Sequence, residues 1–165
     1  MSVYTRPYHS VDEAACLEVF DSNVPKYFST EEREEFETFL KLPSCVYLVL
    51  EQSGQIVGCG GYCVHQESGQ GDLCWGMVRR ELHGTGLGKR LLLERLGRIV
   101  QDPQVTSIRL DTSQHTCGFF AKFGFVTLAI ILNGYGPDLN RYDMRLWLDE
   151  AARRRIQNAY QAIQA

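Results

Sequence analysis

Hydrophobic and polar positions along this 165-residue chain switch between a two-residue and a 3.6-residue period, outlining strands and helices in turn. Val3 to Tyr8 alternates as a short strand, with Pro7 marking an edge or an end. Val11 to Asp21 carries Ala14, Ala15, Leu17, Val19 and Phe20 at helical spacing, and Asn23-Val24-Pro25 breaks the pattern. A second helix is expected from Ser29-Thr30, with Thr30 as cap and a buried stripe of Phe36, Phe39 and Leu40. The acidic run EEREEFE around that stripe reads as a solvated face.

Three strands follow, at Val46 to Leu50, Gln55 to Val64 and Leu73 to Val78. Their short connections imply antiparallel pairing. A glycine-rich turn then leads into a helix from Gly86 to about Val100, ended by Asp102-Pro103. Val105 to Asp111 is the next strand, and strand, crossover helix, strand requires a parallel pair. A short helix at Thr116 to Phe123 precedes strands at Phe125 to Leu132 and Tyr142 to Leu148, with a loop expected at Asn133 to Arg141. The fold class is α/β with a mixed, mostly antiparallel sheet flanked by helices. Residues 1–148 form one domain. Residues 149–165 form a C-terminal helix that docks on the domain or on a second subunit, leaving room for a homodimer.

Composition narrows the partners. Apolar residues make up 44% and charged residues 22%, which is globular rather than disordered. The net charge of -3 argues against nucleic acid as a partner. No apolar run approaches the about 18 residues that span a bilayer, and MSVYTRPYHS lacks a basic-then-apolar leader. The expectation is a cytoplasmic protein without membrane association. Six cysteines lie mostly in apolar runs without CxxC spacing, so they read as reduced thiols, with no metal expected.

The chemistry concentrates in Met77-Val78-Arg79-Arg80-Glu81-Leu82-His83-Gly84-Thr85-Gly86-Leu87-Gly88-Lys89-Arg90, between a strand and a helix. Glycines let successive amides turn inward, and a helix start adds free donors and partial positive charge, so the segment suits an anion such as phosphate. It is no Walker A loop: His83 stands at the first glycine position and Arg90 replaces Ser/Thr. It is no dinucleotide fingerprint either, since Lys89 holds the third glycine position.

With His83-Gly84-Thr85-Gly86-Leu87-Gly88, and with Gln114 to Phe125 reading QHTCGFFAKFGF, the chain resembles the GCN5-related N-acetyltransferase (GNAT) superfamily over about residues 3 to 148. That resemblance implies an acyl-CoA N-acyltransferase fold, whose two central parallel strands splay around acetyl-CoA. It implies that Met77 and Val78 face the pantetheine arm, and that His83, Gly84, Thr85, Gly86, Leu87, Gly88 and Lys89 hold the diphosphate. Gln114 stands near the family's usual Asn, and Phe120 stands where many members carry a proton-donating Tyr. The reaction implied is direct transfer of acetyl, in a ternary complex, to a primary amine of a small molecule, peptide or protein. A non-catalytic CoA-binding module, another acyl chain or a hydroxyl acceptor fits the same residues.

An ammonium must lose a proton before it attacks, so a base is expected. His115 is the first candidate, because histidine titrates in the useful range. Asp111 is a second, and Tyr135 is a replacement acid from the Gly134-Tyr135-Gly136-Pro137 loop. Acceptor contacts are expected from Asn23, Tyr27 and Phe28, and from the loop at Asn133 to Arg141.

Overall fold

The computed structural model describes residues 2–165. Seven strands form one sheet in the order β1-β2-β3-β4-β5-β7-β6. The strands are β1 (Val3–Pro7), β2 (Val46–Gln52), β3 (Gln55–His65), β4 (Gln70–Val78), β5 (Ser107–Thr112), β6 (Val126–Gly136) and β7 (Leu139–Trp147). The helices are α1 (Glu13–Ser22), α2 (Glu32–Lys41), α3 (Leu87–Ile99), α4 (Cys117–Ala121) and α5 (Glu150–Gln164). Every neighbouring strand pair is antiparallel except β4 and β5. No helix of the described residues is long and apolar enough to cross a membrane.

The continuous apolar run of β2 reflects burial on both faces. Tyr47 and Val49 pack against Cys16, Val19 and Phe20 of α1 and Phe36 and Leu40 of α2. Leu50, on the opposite face, joins Val57, Val78 and the α3 residues Leu87 and Leu91. A larger cluster places Leu92, Leu96 and Ile99 of α3 against Ile108, Leu110, Met144, Leu146 and Ile156. The terminal helix α5 lies on α3, where Gly97 makes room for the Tyr160 ring: a Cβ there would sit 2.1 Å from it. Glu94, buried on α3, accepts from Thr5 of β1 at 2.9 Å, Arg98 at 2.6 Å and Gln164 of α5 at 3.2 Å.

Two local departures shape the centre. Register slips between β3 and β4 at Cys59/Gly61, and Trp75 takes a φ of 44° opposite the slip. The Tyr47 hydroxyl donates to the Trp75 carbonyl at 2.8 Å, and the indole lies 5.0 Å from the Phe36 ring. The parallel pairing is short: β4 meets β5 only at Gln70, Gly71 and Asp72, opposite Ser107, Ile108 and Arg109. Beyond that point the two strands have no ladder between them, so the sheet opens from Leu73 to Val78 on one side and from Leu110 to Thr112 on the other.

The expected loop at Asn133 to Arg141 is instead the end of a hairpin. Strand β6 runs on to Gly136, which pairs with Leu139 across a two-residue turn. Asn133, with a φ of 55°, forms an irregularity held by side chains: its amide N–H donates to Asn140 Oδ1, and its own Oδ1 accepts from the Asp138 amide, both at 2.9 Å. Gly, Asn, Pro and Asp mark turns in sequence, but here only Pro137 and Asp138 turn the chain.

Candidate active site

The opening between β4 and β5 has two unlike walls. The first is the turn from β4 into α3. Gly84 and Gly86 have φ of 80° and 91°, the left-handed region that glycine enters without steric cost. A Cβ built on either would meet nothing within 4 Å, so this face is bare backbone at the start of a 13-residue helix. The Thr85 hydroxyl donates to the Leu82 carbonyl at 2.6 Å, turning its side chain back into the loop. Gly88 lies in the first turn of α3, and Lys89 is exposed beside it. These donors and the helix start fit the diphosphate of a CoA ester. His83 is exposed, and its side chain is engaged with the backbone: its Nε2 lies 3.0 Å from the Val78 carbonyl. Met77 and Val78 are buried, with Met77 in the α1–α2 core and Val78 against Leu87 and Leu91.

The second wall is made of side chains from three remote segments. Tyr135, carried by the β6–β7 hairpin, donates its hydroxyl to Asp111 Oδ1 at the end of β5. The hairpin approaches the start of α2, where a Cβ on Gly136 would lie 3.3 Å from Ser29 Cβ. Glu32 sits in that first turn. Its carboxylate accepts from the Ser29 amide at 2.8 Å and the Ser29 hydroxyl at 3.3 Å, and neither Thr30 nor Ser29 caps a helix amide with its side chain: the N-cap position is Glu31. Burial pushes the Glu32 carboxyl up to about 6 against those bonds, and the negative charges of Glu35 and Asp111 add to the rise. Burial first, then Asp111, raises the Tyr135 phenol well above its ordinary range. The acidic run read as a solvated face therefore contributes a half-buried carboxyl that senses β5. Only its place in the Ser29-x-x-Glu32 capping pattern signalled anything beyond surface charge.

Tyr27 lies between the walls. Its ring stands edge-on to His83 at 4.9 Å and to His115 at 6.0 Å, so it crosses the gap between the segments following β4 and β5. His115 is exposed, and its amide donates to Ser113 Oγ in the turn that begins α4. Three expected site residues serve other ends. Asn23 is 1% exposed, and its amide donates to the Val19 and Val78 carbonyls, each at 2.9 Å, so it clamps α1 to β4 rather than meeting an acceptor. Phe28 is half-buried 5.0 Å from the Phe20 ring, which anchors the α1–α2 loop. Gln114 is committed at both ends to the hairpin: it donates to the Asp138 carbonyl at 2.7 Å and accepts from the Asn140 amide at 2.9 Å. Phe120 packs with Phe119 and Phe125 against the core and offers no proton.

A sequence profile described as the acetyltransferase (GNAT) family matches residues 15–125. An IAA acetyltransferase from Azospirillum brasilense is 29% identical over 107 residues, covering 63% of this chain and 68% of that protein. Among solved structures, the ribosomal-protein-S18-alanine N-acetyltransferase of Escherichia coli superposes with a TM-score of 0.73 at 16% identity, over 90% of this chain and 95% of its own. Ard1 from Thermoplasma volcanium gives 0.72 at 18% identity, over 91% and 100%. The yncA protein of Salmonella typhimurium, solved with its cofactor acetyl-CoA, gives 0.66 at 18% identity, over 91% and 96%. These structures share the fold, and the profile spans both the glycine turn and the segment through Phe125. The chain belongs to the GNAT acetyltransferase family.

Proposed function

We propose that this chain transfers acetyl from acetyl-CoA to a primary amine of a small molecule or peptide, by direct attack in a ternary complex, with Glu32 as general base. The observation that carries this reading is the half-buried Glu32 carboxyl, held by the Ser29 amide where the β6–β7 hairpin approaches α2, and pushed up to about 6 by burial with the Asp111 charge adding to the rise. When bound, acetyl-CoA supplies a thioester carbonyl and a thiolate leaving group. Amides from Gly84 to Lys89 hold its diphosphate, since the His83 amide already donates to the Arg80 carbonyl.

Glu32 and Asp111 give the second wall negative charge, which favours a cationic acceptor. At neutral pH Glu32 is mostly ionised yet more basic than an ordinary carboxylate, the balance a general base needs. It takes the proton as the amine nitrogen bonds to the carbonyl carbon and the carbon–sulfur bond breaks. Tyr135 keeps its proton and donates a hydrogen bond to Asp111, fixing that carboxylate. A phenol raised above its ordinary ~10 is a poor acid toward a thiolate of about 8.5, so Tyr135 is a positioning residue and not the proton donor. A thiolate of that basicity departs without a dedicated acid, which fits the phenyl ring at Phe120.

Titration calorimetry with acetyl-CoA and an amine panel read by thiol release test the reading together. The expected result is binding by the protein alone and thiol release that requires an amine. Absence of binding at millimolar ligand overturns the donor half. Binding without amine-dependent release across the panel overturns the transferase reading.

A further inference from the structure

Three of the six cysteines share one face of the sheet around Gly61. Cys45 precedes β2, Cys74 lies on β4 just before Trp75, and Cys63 lies on β3. None of the three is fully buried, whereas Cys16 and Cys59 are. The Cys45 and Cys74 sulfurs are 2.7 Å apart. That is closer than two unbonded sulfurs normally pack and within 1 Å of the ~2.05 Å of a disulfide. Gly61, on the strand between them, makes the approach feasible, because a Cβ there would lie 2.9 Å from either sulfur. Cys45 sits in the bend before β2, outside the ladder, where the backbone can shift to close the remaining gap. Cys63 is engaged elsewhere: its sulfur lies 3.8 Å from His65 Nε2, which is 2.6 Å from Asp72 Oδ2.

We propose that Cys45 and Cys74 are a reversible dithiol–disulfide pair, a modification site that ties the α2–β2 bend to the bulge of β4. The electrostatics suit exchange with a small-molecule disulfide. A hydrogen bond from Cys74 holds the Cys45 thiol below its ordinary range; burial opposes this, and the buried Arg95 guanidinium assists it. The bond to Cys45 and burial push Cys74 up. Cys45 is thus the attacking thiolate and Cys74 the resolving thiol. The Cys45 thiolate attacks one sulfur of oxidised glutathione and expels a glutathione thiolate. Cys74 then loses its proton to solvent, attacks the Cys45 sulfur and expels the second glutathione. Two protein thiols are oxidised as one glutathione disulfide is reduced to two thiols.

The test incubates the reduced protein with oxidised glutathione at pH 8, blocks remaining thiols, and cleaves after glutamates. Cleavage after Glu37, Glu51, Glu67 and Glu81 separates Cys45, Cys63 and Cys74 into three peptides. The expected result is a loss of about 2 Da, with the peptide of Cys45 joined to that of Cys74 and the linkage reversed by a thiol reductant. The bond closes a loop of 29 residues, so the oxidised form melts about 5–10 °C higher. The shift persists in Cys63→Ser and vanishes in Cys45→Ser and Cys74→Ser. Linkage to any other cysteine, a glutathione adduct that never resolves, or no mass change in the wild-type protein overturns the proposal. Mapping the wild-type protein keeps the test independent of whether either serine variant folds.

Discussion

Replacing Glu32 with Gln keeps the shape of the side chain and an oxygen to accept from the Ser29 amide, and removes only the ionisable group. The carboxyl is raised from its ordinary 4.5 to about 6. A gap of about 1.5 pH units corresponds to about 2 kcal/mol, at roughly 1.36 kcal/mol per unit. Glu32 is partly exposed, and solvent screening trims this to about 1 kcal/mol. A raised carboxyl binds its proton more tightly in the folded protein. Its stabilising protonation is therefore complete below about pH 4.5 and lost as pH rises through about 6. Glu32→Gln should match the wild type near pH 4.5 and exceed it by about 1 kcal/mol at pH 8, a rise of about 2–4 °C in Tm. Activity moves the other way. Loss of a general base costs about 100-fold or more in kcat/KM at pH 8. The decisive readout is the ratio of wild-type to variant kcat/KM from pH 5 to 9, because ionisation of the amine cancels in it. That ratio should climb through about pH 6 and then level off. A variant within threefold of wild type at pH 8, or a ratio flat across the range, refutes Glu32 as the base.

Gly86→Val imposes a β-branched residue at a φ of 91° with no neighbour to clash, so backbone strain of about 1–2 kcal/mol acts alone. Acetyl-CoA affinity by calorimetry should fall at least tenfold, whereas His83→Ala, whose ring bonds the Val78 carbonyl, should change it less than threefold. Gly97→Ala drives a methyl into the Tyr160 ring and should cost about 1–3 kcal/mol in urea unfolding, partly recovered when Tyr160→Ala is added. Tyr135→Phe removes the donor to Asp111; the acceptor KM should rise several-fold, with kcat within threefold of wild type.

Much of the fold was legible because strand and helix periods differ and because a crossover helix forces a parallel pair. The expected central helix, Gly86 to Val100, lies within a residue of α3 at each end. The glycine turn was legible too, because glycine's backbone freedom belongs to the residue itself. The second wall was not. Glu32 sits in a run whose spacing matches any solvated helix face, and its desolvation depends on a hairpin about a hundred residues away. That hairpin was hidden in turn, since Asn133 and Gly134 read as turn residues while the strand continues through them, held by the Asn140 side chain. Asn23 was expected to contact an acceptor because a polar residue after a helix reads as loop, and only tertiary packing reveals its burial and its bond to the Val78 carbonyl.

The two walls differ in what they are made of, and that difference bears on how such a protein changes over time. The face built on Gly84 and Gly86 presents peptide groups, which every sequence possesses, so drift in neighbouring side chains leaves that surface, and the donor recognition proposed for it, largely intact. The opposite face depends on a handful of side chains from α2, β5 and the hairpin tip. Under the proposed function, swapping that tip alone would retarget the enzyme to new acceptors while it continued to draw on the same metabolic currency.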